Sequence, residues 1–97
     1  PPPTDAARVY VAHLGLEARK EAVKLSARLR QAGIGVTLAV EGRSLKAQLK
    51  QANTLGFSHT VIIGEEELRS GSVVLRDMVK GEQVQLSVDE AIAGLKR

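Results

Sequence analysis

The chain has 97 residues, 43% hydrophobic and 26% charged, which fits one soluble globular domain with a single core. It contains no cysteine, which excludes disulfides, thiolate metal sites and a cysteine nucleophile. The net charge of +3 is uneven, because residues 1–56 carry +5 and residues 57–97 carry −2, so a polyanionic partner is permitted. Without an apolar run of roughly 18 residues or a secretory signal, a cytoplasmic protein with no membrane partner is expected.

The N-terminus reads Pro1-Pro2-Pro3-Thr4-Asp5 and lacks an initiator methionine. A prolyl run is extended and semi-rigid, as in linkers between domains. We therefore predict that residues 1–7 are a linker from an upstream domain and that residues 8–97 form the folded domain. A processed or trimmed short protein is the alternative.

The first half of the domain alternates between strand and helix patterns. The segment RVYVAHL (8–14) predicts a buried strand, and apolar residues spaced by four, three, four and three predict a helix over 17–32. Gly33 follows where a left-handed cap is wanted, and GVTLAV (35–40) predicts the second strand.

A second helix is predicted to start near Ser44, after a turn at Glu41-Gly42, and to end at Gly56. HTVIIG (59–64) predicts the third strand, and this βαβαβ order favours parallel strands with right-handed crossovers. The predicted inner face of this helix consists of Leu45, Leu49 and Ala52, with Leu55 at its margin.

The second half has a different pattern. EEELRSG is predicted to be a polar turn, followed by strands SVVLRD (72–77) and EQVQLSV (82–88) around a turn at Val79-Lys80-Gly81. Ser87 and Glu90 match a capping box, which predicts a last helix. The predicted fold class is therefore α/β, with a mixed five-stranded sheet and three helices.

Enzymatic signatures are absent from the sequence. No dinucleotide or P-loop glycine motif and no G-x-S-x-G elbow occurs, and His13 and His59, each at a strand end, are interpreted as structural. The run Glu65-Glu66-Glu67 could chelate a hard cation, but a solvated turn that offers an acceptor to a partner is the favoured interpretation.

The second helix carries cations on the side away from its apolar stripe. Arg43, Lys46 and Lys50 cluster there, and this pattern alone is compatible with an ordinary solvated face. Gly42 allows close backbone approach at the helix head, where free N–H groups attract anions. The loops 13–17, 41–44 and 64–67 follow parallel strands, where ligands bind in such sheets.

Three segments of the chain resemble one known family. GRSLKAQLKQANTLG, VIIGEEELRSGSVVLRDM and GEQVQLSVDEAI resemble the C-terminal anticodon-binding domain of histidyl-tRNA synthetase, and the resemblance covers about residues 8–95. Prolyl, threonyl and glycyl enzymes share this domain type. The resemblance implies a three-layer α/β/α fold with helices on both faces of the sheet.

The resemblance also implies a function and site residues. It implies that the domain binds the anticodon of a histidine-specific tRNA through Gly42, Arg43, Ser44, Glu67 and Arg76, with Lys46 and Lys50 on the RNA backbone. The resemblance implies no cofactor for this domain. It implies that ATP and magnesium bind in the catalytic domain of the parent, that this catalytic domain is a partner of the present domain, and that the parent ligase is a homodimer. A protein-interaction or regulatory module that no longer reads RNA is the alternative.

Overall fold

The computed structural model describes residues 8–96, so the predicted linker at 1–7 lies outside the described residues. The predicted strand and helix patterns recur as real elements, with ends that differ by a few residues. The elements are β1 (Arg8–His13), α1 (Leu16–Gln31), β2 (Gly35–Leu38), α2 (Leu45–Thr54), β3 (His59–Ile63), α3 (Glu65–Ser70), β4 (Ser72–Asp77), β5 (Gln83–Ser87) and α4 (Val88–Leu95).

The five strands form one mixed sheet in the order β2-β1-β3-β4-β5. β1 is parallel to both β2 and β3, whereas β3–β4 and β4–β5 are antiparallel pairs. The predicted βαβαβ unit is thus confirmed, and its parallel strands all end at the same edge of the sheet. We call this edge, where the loops after β1, β2 and β3 lie, the carboxyl edge.

The helices cover the two faces of the sheet unequally, which gives the expected three layers. On one face α1, α3 and α4 pack over the larger core, in which Val9, Val11 and Val61 of the strands are fully buried. On the other face α2 packs on β1 through Ala52, beside Tyr10 and Phe57. These two rings meet edge to face with centroids 5.3 Å apart, and both are buried in the smaller core.

Residues 8–96 contain four helices, and the prediction of a polar turn at EEELRSG is wrong. This segment forms α3, which begins after Gly64 and ends at Gly71 in the left-handed conformation, φ +71°. Three glutamates in its first turn interact favourably with the positive end of the helix dipole, which stabilises the helix. Leu68 packs against the larger core. A polar segment with one apolar anchor therefore became helical because capping and packing outweighed its turn-like composition.

The other predicted caps and turns are confirmed. Ser87 and Glu90 form the reciprocal capping box of α4, with bonds of 3.1 and 2.9 Å. Asp77 pins the β4–β5 turn by accepting hydrogen bonds from the N–H groups of Val79 and Lys80, both at 2.9 Å. The N–H of Lys80 is the main cause that holds the pKa of Asp77 below its usual value.

Candidate nucleic-acid interface

The three loops at the carboxyl edge lie side by side, because β1 is paired with both β2 and β3. Leu14 N–H donates to the carbonyl of Ile63 at 3.0 Å, which joins the loop after β1 to the end of β3. A cavity of about 220 Å³ separates the loop after β1 from the loop after β2, and Arg19 and Glu41 face each other across it at 3.8 Å. The loop after β1 is therefore the middle element of this edge.

The head of α2 presents backbone and side-chain donors at this edge. Gly42 has φ +83°, a conformation that strongly favours glycine, and it turns the chain into the helix. Ser44 is the N-cap, and its Oγ accepts from the N–H of Ala47 at 3.2 Å, which leaves its own hydroxyl proton available. The exposed Arg43 lies between them, so a positive side chain and the positive end of the helix dipole coincide.

The cations of α2 extend this positive surface along the helix. Lys46 and Lys50 are exposed, and neither has an ion pair within residues 8–96. The helix Leu45–Thr54 itself contains no acidic residue that could compensate them. The basic stripe predicted from the sequence therefore exists and is open to an external anion.

Glu67 lies on α3, beside the middle loop but in a different concavity. Its Oε1 accepts from the N–H of Gly64 at 2.8 Å and caps the helix. No partner for its second oxygen is found in the described part of the chain, and the side chain is half-buried. It lines a groove of about 490 Å³ between α1 and α3 that also contains Glu21 and Lys24. One carboxylate oxygen is thus structural and the other can accept from a ligand.

Arg76 is set apart from the other site residues. It lies on the face of the sheet that carries α2, opposite Thr60 of β3, and its guanidinium donates to Gln83 Oε1 at 2.9 Å. Thr60 precedes the last residue of β3 by three positions, so Arg76 lies roughly 10 Å back from the carboxyl edge. The structure therefore places Gly42, Arg43, Ser44 and Glu67 at the carboxyl edge, with Glu67 on the face opposite α2 and with Arg76 displaced along the sheet.

Comparison with known proteins identifies the family. Residues 8–97 match the sequence model of the anticodon binding domain. The chain belongs to this family.

Relatives of this anticodon-binding domain are much longer proteins. The histidine–tRNA ligase of Dehalococcoides mccartyi (strain 195) is 41% identical over 97 residues, which is 100% of this chain and 23% of that protein. The apo histidyl-tRNA synthetase of S. aureus superposes with a TM-score of 0.85 at 30% identity, covering 97% of this chain and 24% of its own. The enzyme from Nostoc sp. PCC 7120 gives 0.87 at 34% identity, covering 95% and 22%.

The anticodon-binding domain holds its β2–α2 loop with two buried polar residues that the sequence reasoning did not assign to the site. His13 Nε2 lies 3.0 Å from the carbonyl of Ala39, and Gln48 bonds the backbone of both His13 and Arg43. A signal for Gln48 was present in its spacing, three positions after Leu45 and four before Ala52, which places it on the inner face. A lone polar residue on an apolar face therefore indicated a specific buried partner.

Tyr10 is the one ionisable residue of the smaller core. Burial raises the pKa of the Tyr10 phenol, and the positive charge of Arg43 acts in the opposite direction.

Proposed function

We propose that this domain binds the anticodon loop of a histidine-specific tRNA, as the C-terminal domain of a histidyl-tRNA synthetase. One observation carries the proposal: three kinds of group lie at the same edge of the sheet. They are cations without an acidic partner in the described residues, hydrogen-bond donors at the start of α2, and a carboxylate with one oxygen that has no partner there. The similarity to histidine–tRNA ligases over the whole chain supports the choice of amino acid. Since the chain spans about a quarter of those relatives or less, the ligase activity belongs to a longer protein in this proposal.

Each side chain has a distinct role in the proposed complex. Unpaired anticodon bases are read along their edges, and the free oxygen of Glu67 accepts from a base N–H. Arg76 donates to a base carbonyl or a phosphate from the adjoining sheet face. Arg43, Lys46 and Lys50 contact phosphates and give the binding its salt dependence.

Stacking on aromatic side chains has no part in this mode of binding. The chain contains one tyrosine, one phenylalanine and no tryptophan. Tyr10 and Phe57 are 4% and 6% exposed, so neither ring is available as a platform for a base. Specificity therefore rests on hydrogen bonds and charge.

In this proposal the catalytic partners of the parent lie outside this domain. Within residues 8–96 no group of three His, Asp or Glu side chains is arranged to hold a metal ion, and no helix there is long and apolar enough to span a membrane. We propose that ATP and magnesium act in the catalytic domain, that the parent is a homodimer, and that it works in the cytoplasm, where tRNA is charged.

The test is a titration of the 97-residue chain with an RNA hairpin that carries the histidine anticodon, followed by NMR chemical shifts. An otherwise identical hairpin with a different anticodon is the control. Glu67→Ala and Arg76→Ala are each expected to weaken cognate binding by about 1–3 kcal/mol and to reduce discrimination between the hairpins. Cognate binding that is unchanged in both variants would show that the site assignment is wrong, and no RNA-dependent shift at all would favour the protein-interaction alternative.

A further inference from the structure

Gln48 is a polar residue on the otherwise apolar inner face of α2, and its side chain is 1% exposed. We propose that it is a positioning residue for RNA binding: it fixes the β2–α2 loop on the end of β1 and so holds Arg43 and the head of α2 in one arrangement. This inference rests on the proposed function of the domain. Gln48 itself does not contact the RNA in this account.

The side-chain amide of Gln48 continues the sheet where β2 has stopped. β2 ends at Leu38, which is paired with Val11, so the last residue of β1 has no strand on that side. There Gln48 Oε1 accepts from His13 N–H at 2.9 Å, and Gln48 Nε2 donates to the His13 carbonyl at 2.8 Å. The amide therefore replaces a peptide group of a neighbouring strand and satisfies both backbone groups of a buried residue.

The second proton of the same amide reaches the loop. Gln48 Nε2 also donates to the carbonyl of Arg43 at 2.7 Å. A side-chain amide has two N–H donors, and these two bonds use both of them. The backbone of Arg43 is thereby linked to the end of β1 through one rigid planar group. A change in the side chain at position 48 thus acts directly on the backbone from which Arg43 projects.

The other anchors of the loop hold its beginning rather than its end. Ala39 N–H donates to the Val11 carbonyl at 2.9 Å, and its own carbonyl meets the His13 ring at 3.0 Å. Among residues 8–96, the only side-chain partner of Glu41 is Arg19, in an ion pair that is partly exposed. Between Glu41 and Ser44, the part-buried bond from Gln48 to the Arg43 carbonyl is the one side-chain hydrogen bond to the loop found in the described residues. Its loss leaves Arg43 free to adopt many positions, which must be ordered again when RNA binds.

The test compares Gln48→Met, which keeps the length of the side chain but removes its hydrogen bonds, with the wild-type chain. Binding of the histidine-anticodon hairpin is measured by NMR titration, and thermal unfolding is measured alongside. The matched control is Leu95→Ala, which creates a defect in the larger core at the far end of α4. We expect Gln48→Met to lower RNA affinity about tenfold, and Leu95→Ala to lower it less than twofold at a similar loss of stability.

A double-mutant cycle with Arg43→Ala separates positioning from a general loss of stability. If Gln48 acts through Arg43, Gln48→Met should weaken binding less than twofold further in the Arg43→Ala background. The same tenfold loss in both backgrounds, or a loss no greater than that of Leu95→Ala, would overturn the proposal. Should Gln48→Met not fold, Gln48→Glu, which retains the acceptor for His13 but lacks both donors, is judged by the same criteria.

Failure of the inference and failure of the proposed function give different results. A wild-type chain that does not respond to the cognate hairpin refutes the proposed function, and the positioning role falls with it. A wild-type chain that binds, loses affinity on Arg43→Ala and is unaffected by Gln48→Met refutes the positioning role alone.

Discussion

Helices α1 and α2 both expose several cations, but the cations of α1 mostly form ion pairs and those of α2 do not. On α1, Lys20 and Lys24 each pair with a glutamate one turn away, at 3.5 and 3.3 Å, and Arg28 reaches Asp89 of α4 at 2.7 Å. On α2, Lys46 and Lys50 have no acidic partner in the described chain. The positive charge of the first half of the sequence is therefore largely compensated on one helix and available on the other.

The two helices also begin differently. α1 starts after Gly15 with no side-chain cap, whereas α2 starts with the Ser44 cap and with Gln48 bonded to the preceding loop. A helix head that is capped and tied to a strand gives fixed donors, and fixed donors cost less entropy to use in binding. A basic residue therefore indicates a binding function most clearly when it has no acidic neighbour and when its backbone is held in place.

The largest expected effect comes from reversing charge on one helix at a time. Lys46→Glu/Lys50→Glu should weaken binding of the histidine-anticodon hairpin by about 2–3 kcal/mol, because two phosphate contacts become repulsions. Lys20→Glu/Lys24→Glu changes the net charge equally, and it should cost less than about 0.5 kcal/mol if α1 does not meet the RNA. The measurement is the dissociation constant from NMR titration at fixed ionic strength.

Equal losses in the two charge-reversal variants would break the comparison. They would mean that the RNA responds to net charge alone and that the ion pairs of α1 do not distinguish it from α2. Far-ultraviolet circular dichroism of both variants serves as the control for folding.

Much of this fold could be predicted from the sequence because its strands and helices follow strict apolar periods. The three parallel strands, the Ser44 start of α2 and the Ser87–Glu90 capping box depend on local patterns and were found. The helix α3 was missed, because its stability comes from Glu67 folding back on Gly64 and from the contact of Leu68 with a core built elsewhere. The six residues of α3 alone carry no information about a core that other elements form.

The site was predicted less completely than the fold, for the same reason. The cations of α2 and the loop at Gly42 could be read from residue type and spacing. The commitment of one Glu67 oxygen to Gly64 and the bridge from Gln48 to Arg43 are contacts between a side chain and a particular backbone atom. Such contacts depend on how the loops meet at the sheet edge, which a single sequence does not specify.

A smaller effect is expected in the salt dependence of RNA binding, which should change for a lysine of α2 and not for a lysine of α1. Lys50→Ala should reduce the slope of log K against log salt concentration by about 0.7–1, because one fewer counterion is displaced from the RNA backbone. Lys24→Ala should leave the slope unchanged, since Lys24 already pairs with Glu21. Titrations of both variants over a range of potassium chloride concentrations provide the slopes, and a lower slope for Lys24→Ala would place RNA on α1 as well.

The smallest expected effect uses Tyr10, the one tyrosine in a chain without tryptophan, as a reporter of the α2 head. Burial raises the pKa of Tyr10 and Arg43 counteracts it, so Arg43→Ala should raise the phenol pKa further. Because the folded pKa lies above that of the unfolded chain, the contribution of Tyr10 to stability is complete below the ordinary tyrosine pKa and is lost as pH rises through the folded value.

Ultraviolet titration of the phenolate measures the Tyr10 pKa directly, and Lys24→Ala on α1 is the control that should leave it unchanged. Gln48→Met should shift the pKa in the same direction as Arg43→Ala, and by less, because a freed loop carries the guanidinium away from the phenol for part of the time. An identical titration in wild type and Arg43→Ala would place the guanidinium too far from Tyr10 to act on it. The head of α2 would then differ from that of α1 in its Ser44 cap and in the buried amide of Gln48, but not in having a guanidinium held beside the smaller core.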